Sequence, residues 1–352
     1  MGVTPHDSAP RGGADEPILI WGAGAVGGTI GAYLARAGHP VVLVDIVAEH
    51  VAAIREHGLA IEGPIETFVQ RASAFTPDEL RGRFARAILG VKAQHTAAAA
   101  LALRPFLTHD GYVVSAQNGL NERVIAQLVG RERTIGAFVN FGADYLAPGR
   151  ILYGGHGAVV IGELDGRTTP RLTALHASLR DFEPAAIATD NIWGYLWGKL
   201  AYGALLFATA LTDDSIADAL ALPAHFALYR ALGGELLRVA AAERVRPEGF
   251  NGFDPAAFSD GAAPAATQRS IDDMVAHNRR SAKSHSGIWR DLAVRKRKTE
   301  VDAQLGMVVD IAATHGLATP ILARLVQLVH EIEDEARPMD RRNLDALAEA
   351  MR

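Results

Sequence analysis

The chain has 352 residues, contains no cysteine and carries a formal net charge of −5, from 35 basic and 40 acidic side chains. The absence of cysteine excludes disulfides, thiolate metal sites and cysteine nucleophiles. Only 21% of the residues are charged and acids are in slight excess, so no broad cationic surface is available to hold nucleic acid or anionic lipid. These facts favour a small-molecule function, with neither a nucleic acid nor a membrane as partner.

Residues 1–17 lack the apolar core of a secretory signal, and no segment approaches the roughly 18 apolar residues that a membrane span needs. We therefore expect residues 1–17 to form a flexible leader on a cytoplasmic protein.

A β-α-β pattern opens the regular part of the chain. The apolar run at 18–21 is followed by a helical pattern over 26–37 and by a second apolar run at 41–44. Such continuous runs are typical of strands buried on both faces of a parallel sheet. Further strands at 87–91 and 112–115, followed by helical stretches at 94–106 and 121–129, predict a doubly wound, Rossmann-like α/β domain. Glycine-punctuated segments at 59–75 and 134–163 are interpreted as hairpins.

The pattern changes near residue 190, and strand signals disappear beyond it. Helices are predicted over 193–210, 224–243, 289–315 and 321–335, with breaks at 247–264 and 316–320. We therefore predict a nucleotide-binding domain over 18–188 and an all-α domain over 189–352.

A glycine-rich loop, Gly22-Ala-Gly24-Ala-Val-Gly27, lies where the first strand turns into a helix. In such a loop the first glycine permits a tight turn, the second lets the backbone approach a pyrophosphate, and the third allows close packing of helix and strand. We expect a dinucleotide to bind at Gly22, Gly24, Ala25, Val26 and Gly27. The alternative is a glycine-rich turn without a ligand.

Asp45 ends the second strand. A carboxylate at this position accepts hydrogen bonds from the adenosine ribose hydroxyls and repels a 2′-phosphate, so it favours NAD over NADP. No arginine follows at positions 46 and 47 to attract that phosphate. The alternative is that Asp45 only caps the helix that starts near Val47.

Lys92 and Asn118 follow two later strands. Because ligands bind beyond the carboxyl ends of parallel strands, we expect Lys92 to neutralise a phosphate or a substrate carboxylate. Asn118 is expected to orient the nicotinamide ribose or the substrate. The alternatives are a solvated lysine and an ordinary Asn-Gly turn.

Lys199 is the candidate acid of the helical half. At helical spacing it shares a face with the apolar side chains of Ile192, Leu196 and Leu200 and with Gly203. An ammonium group on such a face either meets an anionic group or extends to solvent. Beside a substrate, Lys199 is predicted to donate a proton to a carbonyl oxygen as hydride reaches the carbon.

A second polar cluster spans 284–302. Ser286 is a candidate ligand for a substrate carboxylate, and Glu300 is expected to pair with Lys199 or to hold a substrate hydroxyl. The basic run 295–298 is interpreted as a solvated helix face. His285 between two serines suggests a hydrolase, but no nucleophile-elbow sequence accompanies it. The 13 histidines show no metal-binding spacing, so no metal site is expected.

In these motifs the chain resembles the ketopantoate reductase (2-dehydropantoate 2-reductase) family, from about Ile18 to Pro338. The resemblance implies a Rossmann domain and a helical domain like the C-terminal domain of 6-phosphogluconate dehydrogenase. It also implies hydride transfer from a nicotinamide cofactor to a 2-oxo acid, and frequently a homodimer. The motifs that carry it are the glycine loop with Gly28, Val91-Lys-Ala93, Gln117-Asn-Gly119, Trp197-Gly-Lys199-Leu200, Ser286 through Asp291, Thr299-Glu-Val-Asp302, Gly306, Gly316 and Thr319-Pro320.

By position, the resemblance gives each candidate residue a role. Lys199 matches the family's catalytic lysine. Lys92 and Asn118 match its cofactor and substrate contacts, and Ser286 and Glu300 match its substrate-pocket serine and glutamate.

Three features depart from the family pattern. Gly203 and Phe207 occupy positions where pantothenate enzymes usually carry asparagines, and Asp45 stands where an arginine that serves NADPH is common. The spacing between Asp291 and Glu300 is one residue longer than usual, so Ser284 competes with Ser286 as the pocket serine. A pocket that loses two amides and gains a phenyl ring is expected to prefer a bulkier or more apolar substrate than ketopantoate.

The leading hypothesis is an NAD-preferring oxidoreductase that interconverts a 2-oxo acid, or a related oxo acid, and its hydroxy acid. Lys199 and Glu300 are its predicted catalytic residues, and the predicted substrate contacts are Asn118, Ser286, Gly203 and Phe207. Two alternatives are kept: a true 2-dehydropantoate 2-reductase that uses NADPH, and a non-catalytic NAD-sensing module.

Overall fold

The computed structural model describes residues 16–281 and 284–352. The leader predicted for residues 1–17 therefore lies almost entirely outside the described residues. The chain divides into two compact units. The first takes the described residues up to Val91, His95–Gln117 and Glu122–Asp190, and the second takes Lys92–Gln94, Asn118–Asn121 and Asn191–Arg352.

The first unit is built on one sheet whose strands run in the order β4-β3-β9-β8-β7-β6-β1-β2-β5, with β10 paired to β9. Strands β5, β2, β1, β6, β7 and β8 form a continuous parallel part, and β3 and β10 each pair in parallel with β9. The strands are β1 (Ile18–Trp21), β2 (Val41–Val44), β3 (Leu59–Glu62), β4 (Phe68–Gln70), β5 (Ser73–Phe75), β6 (Phe84–Leu89), β7 (Leu107–Ser115), β8 (Thr134–Ala147), β9 (Arg150–Glu163) and β10 (Ile187–Ala188).

Helices cover both faces of this sheet. Successive side chains of a strand point to opposite faces, and in β1 they enter different cores: Ile18 and Ile20 lie in one, Leu19 and Trp21 in the other. The predicted Rossmann-like α/β class, with a helical C-terminal part, is therefore confirmed. The helices of this part of the chain are α1 (Ala25–Arg36), α2 (Ala48–His57), α3 (Thr96–Leu103), α4 (Asn121–Val129) and α5 (Pro170–Leu179).

The predicted hairpins are found with one correction. Strands β8 and β9 pair antiparallel along their length, and β3 pairs antiparallel with β4. The prediction of a hairpin up to residue 75 is wrong, because β5 leaves it and pairs in parallel with β2. Ala74, the middle residue of β5, is buried in the core, and its burial favours the position of β5 beside β2 at the sheet edge.

The second unit is helical, and among its described residues the one β-feature is an isolated bridge between Phe250 and Phe253. None of the described helices is both long and apolar enough to cross a membrane. The helices are α6 (Ile192–Thr209), α7 (Ile216–Leu220), α8 (Phe226–Ala242), α9 (Pro264–Arg280), α10 (Gly287–Trp289), α11 (Met307–Thr314), α12 (Pro320–Glu333) and α13 (Arg342–Ala348).

The prediction of one continuous helix over 289–315 is wrong. Two π-helical turns, Arg290–Val294 and Asp302–Gly306, lie on either side of a non-helical stretch at 295–300. Lys296 in this stretch has a left-handed backbone, with φ of 47°. Within this stretch Arg295 and Arg297 both donate hydrogen bonds to the carboxylate of Asp291.

Candidate active site

The glycine loop between β1 and α1 is shaped for close backbone packing. Gly22 has φ of +94°, which favours glycine. A Cβ on Gly27 would lie 2.1 Å from the Gly22 carbonyl oxygen, so no larger residue fits there. At Gly24, by contrast, a Cβ would meet no atom within 4 Å. The loop therefore closes tightly on itself and leaves open space at its second glycine.

That open space lies at the start of α1. Gly24, Ala25 and Val26 are partly exposed, and no side chain of the described residues caps this helix end. The first-turn N–H groups of a helix have no partner within the helix and attract anions. The loop thus fits the pyrophosphate of a dinucleotide cofactor, which these three residues would hold through their main-chain N–H groups.

Asp45 follows β2 and is partly exposed. Its Oδ1 accepts a hydrogen bond of 3.0 Å from the Val47 N–H, just before α2 begins. One carboxylate oxygen of Asp45 is therefore used at the start of this helix, as the capping alternative predicted. The other oxygen, Oδ2, makes no hydrogen bond within the described part of the chain. It remains an acceptor for ribose hydroxyls.

Lys199 and Asn118 meet within the second unit. The Lys199 Nζ donates a hydrogen bond of 2.7 Å to the Asn118 Oδ1. Asn118 is held in turn by Asn121, whose Nδ2 donates to the Asn118 main-chain oxygen at 2.6 Å. Lys199 is therefore not a lysine that merely extends to solvent. The structure brings together two residues that lie 81 positions apart and that the sequence singled out separately.

Helix α6 turns one line of residues outward. From Tyr195 onward the helix is buried except at Tyr195, Lys199, Gly203 and Leu206, which follow one another at helical spacing. The substrate contact predicted for Phe207 is not supported, because its side chain is 0% exposed and packs in the core. The helix turns by about 100° per residue, so the accessible position one turn beyond Gly203 is Leu206.

The glycines of α6 differ in what surrounds them. A Cβ on Gly194 would lie 2.5 Å from the Arg246 carbonyl oxygen, and one on Gly198 would lie 1.9 Å from that of Glu248. Packing therefore requires both to be glycine. A Cβ on Gly203 would meet no atom within 4 Å. Nothing in the fold requires a glycine there, and the space beside Lys199 is open.

Lys92 is paired with two carboxylates of the second unit. Its Nζ lies 3.4 Å from the Asp291 Oδ2 and 3.4 Å from the Glu300 Oε2. Glu300 also accepts a hydrogen bond of 2.7 Å from the Ala93 N–H. The predicted pairing of Glu300 with Lys199 is not found, because the main chain at Ala93 and the ammonium group of Lys92 engage both of its oxygens.

Asp291 is the centre of this charge cluster. It is 5% exposed, and its Oδ1 lies 3.1 Å from Arg295 NH1 and 2.8 Å from Arg297 NH2. The interpretation of 295–298 as a solvated helix face is therefore wrong for both arginines. Burial acts to raise the pKa of the Asp291 carboxyl, but Lys92, Arg295 and Arg297 outweigh it and hold that pKa below its ordinary value. Three basic side chains thus contact the two carboxylates of Asp291 and Glu300.

The two candidate pocket serines differ in setting. Ser286 is buried and caps α10, because its Oγ accepts a hydrogen bond of 3.1 Å from the Trp289 N–H. As an acceptor there, it keeps its hydroxyl proton for a second partner. Ser284 is exposed, and its Oγ lies 2.8 Å from the Nδ1 of His285. The other ring nitrogen of His285 faces the Asp213 main-chain oxygen rather than a carboxylate, so no Ser-His-Asp arrangement is formed.

Two residues with clear contacts were missed at the sequence level. Asp291 was quoted only as part of a motif, although it contacts Lys92 and both arginines. His50 was not considered, although it contacts the glycine loop. The sequence signal for Asp291 is its place four residues before Arg295, at the start of the basic run 295–298. Within the described residues, no group of three or more acidic or histidine side chains is arranged to hold a metal ion.

Sequence similarity to known proteins covers about nine tenths of the chain. The 2-dehydropantoate 2-reductase of Halobacterium salinarum is 30% identical over 317 residues, which covers 89% of this chain and 97% of that protein. The 2-dehydropantoate 2-reductase of Archaeoglobus fulgidus is 27% identical and covers 90% of this chain and 98% of that protein.

Solved structures share the fold. The PanE/ApbA family ketopantoate reductase from Ralstonia eutropha JMP134 has a TM-score of 0.76 at 28% identity, covering 91% of this chain and 99% of that one. The ternary structure of D-mandelate dehydrogenase with NADH and anilino(oxo)acetate has a TM-score of 0.78 at 23% identity, with 91% and 99% covered.

A Rossmann-like unit with a glycine loop and a helical unit with a lysine–asparagine pair define an NAD(P)-dependent oxidoreductase that acts on a CH–OH group. The model of the family described as ketopantoate reductase PanE/ApbA matches residues 18–166, and that of its C-terminal part matches residues 191–333. The chain belongs to the ketopantoate reductase family, as the sequence motifs predicted.

Proposed function

We propose that this oxidoreductase interconverts a 2-oxo acid and its 2-hydroxy acid with Lys199 as the general acid and base, and that it prefers NAD(H). The observation that carries the proposal is the 2.7 Å hydrogen bond between Lys199 and Asn118, with open space at Gly203 one helical turn away. The neutral amide of Asn118 orients the ammonium group of Lys199 and takes no proton from it. Lys199 is therefore suited to stabilise the substrate carbonyl oxygen as that oxygen becomes negative during the reaction.

The nicotinamide cofactor supplies the hydride when it is bound. Lys199 donates a proton to the substrate carbonyl oxygen as charge develops there, and it takes the proton back in the reverse direction. Asn118 fixes the ammonium group through its Oδ1 and keeps its own amide N–H groups as donors for the substrate. Donors that are already oriented need no rearrangement during the reaction, which is why they stabilise the transition state.

A 2-oxo acid also brings a carboxylate. Lys92, whose side chain is 44% exposed beside Asp291 and Glu300, is the cation that we expect to attract this carboxylate. Ser286 adds a hydroxyl donor. The remaining role predicted for Glu300, a hydrogen bond from a substrate hydroxyl, stays part of the proposal.

The substrate class is a 2-oxo acid with a substituent larger than that of ketopantoate. Gly203 leaves space where the family's pantothenate enzymes usually place an asparagine, and Leu206 adds an accessible apolar side chain on the same line of α6. The similarity to a D-mandelate dehydrogenase solved with anilino(oxo)acetate, an oxo acid with an aromatic group, agrees with this class.

The NAD preference rests on Asp45. Its Oδ2 is available to ribose hydroxyls, and its charge opposes a 2′-phosphate. Arg55 and Arg150, basic side chains of the same unit, are each paired with a glutamate, Glu79 and Glu62 respectively. NADH is the cofactor in the D-mandelate dehydrogenase structures similar to this chain.

The alternative is a 2-dehydropantoate 2-reductase that uses NADPH, the activity for which the curated relatives are named. An NAD-sensing module is the weaker alternative, because a sensor has no need of an oriented lysine at its site.

We further propose that the enzyme works as a homodimer in the cytoplasm. The family resemblance supports the dimer, and the lack of cysteine means that no oxidising compartment is needed for folding. Sedimentation of the purified protein tests the dimer.

The test of the proposed function is a substrate panel. Purified protein is mixed with NADH or NADPH and with ketopantoate, small 2-oxo acids and aryl-substituted 2-oxo acids, and absorbance at the wavelength of the reduced cofactor is followed. Consumption of NADH with a bulky 2-oxo acid, faster than any NADPH reaction, is expected. NADPH-dependent turnover of ketopantoate as the fastest reaction would favour the alternative, and no consumption with any of these acids would overturn the proposed 2-oxo acid substrate.

A further inference from the structure

His50 is a fully buried polar side chain of the first unit that the proposed chemistry does not use. It lies in the first turn of α2 and is 0% exposed. Its Nε2 is 2.9 Å from the main-chain oxygen of Ala23, in the glycine loop. Its Nδ1 accepts a hydrogen bond of 2.9 Å from the Gly149 N–H. Both ring nitrogens therefore have partners.

These partners determine where the imidazole carries its proton. A backbone N–H can only donate, so Nδ1, which faces the Gly149 N–H, is unprotonated. The neutral ring then carries its proton on Nε2 and donates it to the Ala23 carbonyl. In a doubly protonated ring, the proton on Nδ1 would point at the Gly149 N–H, so that two donors would face each other without an acceptor.

The contact with Ala23 acts on the part of the loop that faces the ligand. The Ala23 carbonyl and the Gly24 N–H belong to one planar trans peptide and point in opposite directions. Whatever fixes the carbonyl therefore fixes the N–H. Gly24 is the position where the loop leaves open space and where the first-turn N–H groups of α1 begin.

The opposite side of the imidazole is fixed by the turn between β8 and β9. Gly149 has φ of +73°, and its carbonyl accepts a hydrogen bond of 2.8 Å from the Ala60 N–H. The Tyr145 ring packs edge-on against the imidazole at 5.2 Å between centroids. The ring of His50 is thus also held from outside the glycine loop, by Gly149 and Tyr145.

We propose that His50 is a positioning residue for the cofactor: its neutral ring, protonated at Nε2, holds the Ala23–Gly24 peptide so that the Gly24 N–H is presented to the pyrophosphate. The inference rests on the proposed function only in that a dinucleotide binds at this loop. His50 does not reach the reacting atoms. Its loss changes cofactor affinity and leaves the rate of the chemical step unchanged.

Two substitutions separate the two hydrogen bonds of His50. The amide nitrogen of Gln stands three bonds from Cβ, as Nε2 does, so His50→Gln keeps a donor for Ala23 and loses the acceptor for Gly149. The amide oxygen of Asn stands two bonds from Cβ, as Nδ1 does, so His50→Asn keeps the acceptor and loses the donor. Each variant loses one buried hydrogen bond. A purely structural role predicts equal effects of the two variants on every readout.

We expect His50→Asn to raise the Kd and KM for NADH by about tenfold, the equivalent of one hydrogen bond, with kcat unchanged. For His50→Gln, we expect the Kd and KM for NADH to stay within about threefold of the wild-type values. The midpoints of urea unfolding of the two variants should agree with each other. His57→Asn is the control, because His57 lies on the same helix with its side chain 71% exposed.

The outcomes distinguish this inference from the proposed function. Failure of the wild type to bind either NADH or NADPH would overturn the proposed function, and with it this inference. Binding by the wild type with equal affinities of the Asn and Gln variants would overturn the inference alone. Nitrogen NMR of the histidine ring in the wild type gives a readout without any variant: an unprotonated Nδ1 is expected, and a protonated Nδ1 would contradict the proposal.

Discussion

At position 203, helix stability favours alanine, whereas the proposed binding of a bulky substrate favours glycine. Glycine inside a helix costs about 0.5–1 kcal/mol relative to alanine. Its neighbours Gly194 and Gly198 are required by packing, but a Cβ at 203 meets nothing. The proposed function gives a reason for this glycine, because a 2-oxo acid substituent would occupy the space beside it.

We therefore expect Gly203→Ala to raise the free energy of unfolding by about 0.5–1 kcal/mol and at the same time to raise KM for a bulky 2-oxo acid. Gly198→Ala is the control and should lower stability, because its Cβ would lie 1.9 Å from the Glu248 carbonyl oxygen. Urea unfolding and steady-state kinetics measure the two effects. A stabilised Gly203→Ala enzyme with unchanged KM for every 2-oxo acid would contradict the proposed role.

Asp45 is expected to set the cofactor preference. Asp45→Ala removes the acceptor for the ribose hydroxyls and the charge that opposes a 2′-phosphate. Hydrogen bonds to charged groups contribute about 1.5–3 kcal/mol, so the ratio of kcat/KM for NADH over NADPH should fall by about 10- to 100-fold. Glu49→Ala, a change at a nearby exposed acid, is the control. The same ratio in Asp45→Ala as in the wild type would show that Asp45 acts only as a turn residue.

At the residue scale, sequence motifs singled out Lys199 and Asn118 separately, and the structure joins the two by a hydrogen bond. The motifs were not sufficient for Phe207, because an alignment position does not say which side of a helix is accessible. His50 escaped notice because both of its contacts are with main-chain atoms far along the chain, at Ala23 and Gly149. Main-chain contacts leave no pattern of residue types in the sequence.

At the element scale, the N-terminus of α12 is held by a side chain from another helix. Glu235 of α8 is 3% exposed, and its two carboxylate oxygens accept hydrogen bonds of 3.1 and 2.9 Å from the N–H groups of Ile321 and Leu322. Burial raises the pKa of this carboxyl, and the two N–H groups and Arg238 only partly offset that rise. The folded protein therefore takes up this proton at a higher pH than the unfolded chain does.

We predict that Glu235→Gln lowers the free energy of unfolding by about 1–3 kcal/mol at neutral pH, because a Gln amide group would face a backbone N–H donor with its own N–H. The wild-type residue also makes stability fall as pH rises from the unfolded pKa through the raised folded pKa, and the Gln variant should lack this contribution. Urea titrations over that pH range measure both. Glu335→Gln, at an exposed site, is the control, and equal stability of the two variants would contradict the capping role.

Helical periodicity predicted most helices of the second unit, but it failed between 289 and 315. The residues there are compatible with a helix, and the local pattern contains no proline or glycine at the break. The interrupted stretch instead makes contacts that a periodicity does not encode. Asp291 contacts Lys92 and two arginines, and Glu333 accepts hydrogen bonds from the main chain and hydroxyl of Thr299. Intrinsic propensity is a weak prior that such tertiary contacts override.

At the scale of the whole molecule, alternation of strands and helices was enough to predict the sheet unit and the helical unit. The mild net charge of −5 says little about where charge acts. Positive charge is concentrated around Lys92, Arg295 and Arg297, while Lys199 is oriented by a neutral amide. A chain with a slight acidic excess can thus carry a local site suited to an anionic substrate.

The central claim is that Lys199 transfers the proton in an NADH-dependent reduction. The most direct measurement is kcat of Lys199→Ala with NADH and the most active 2-oxo acid of the panel, beside the exposed control Lys298→Ala. A loss of about 10²–10⁴-fold in kcat is predicted, since general acid catalysis contributes on that order, with NADH affinity and the control unchanged. Near-normal turnover by Lys199→Ala would contradict the account.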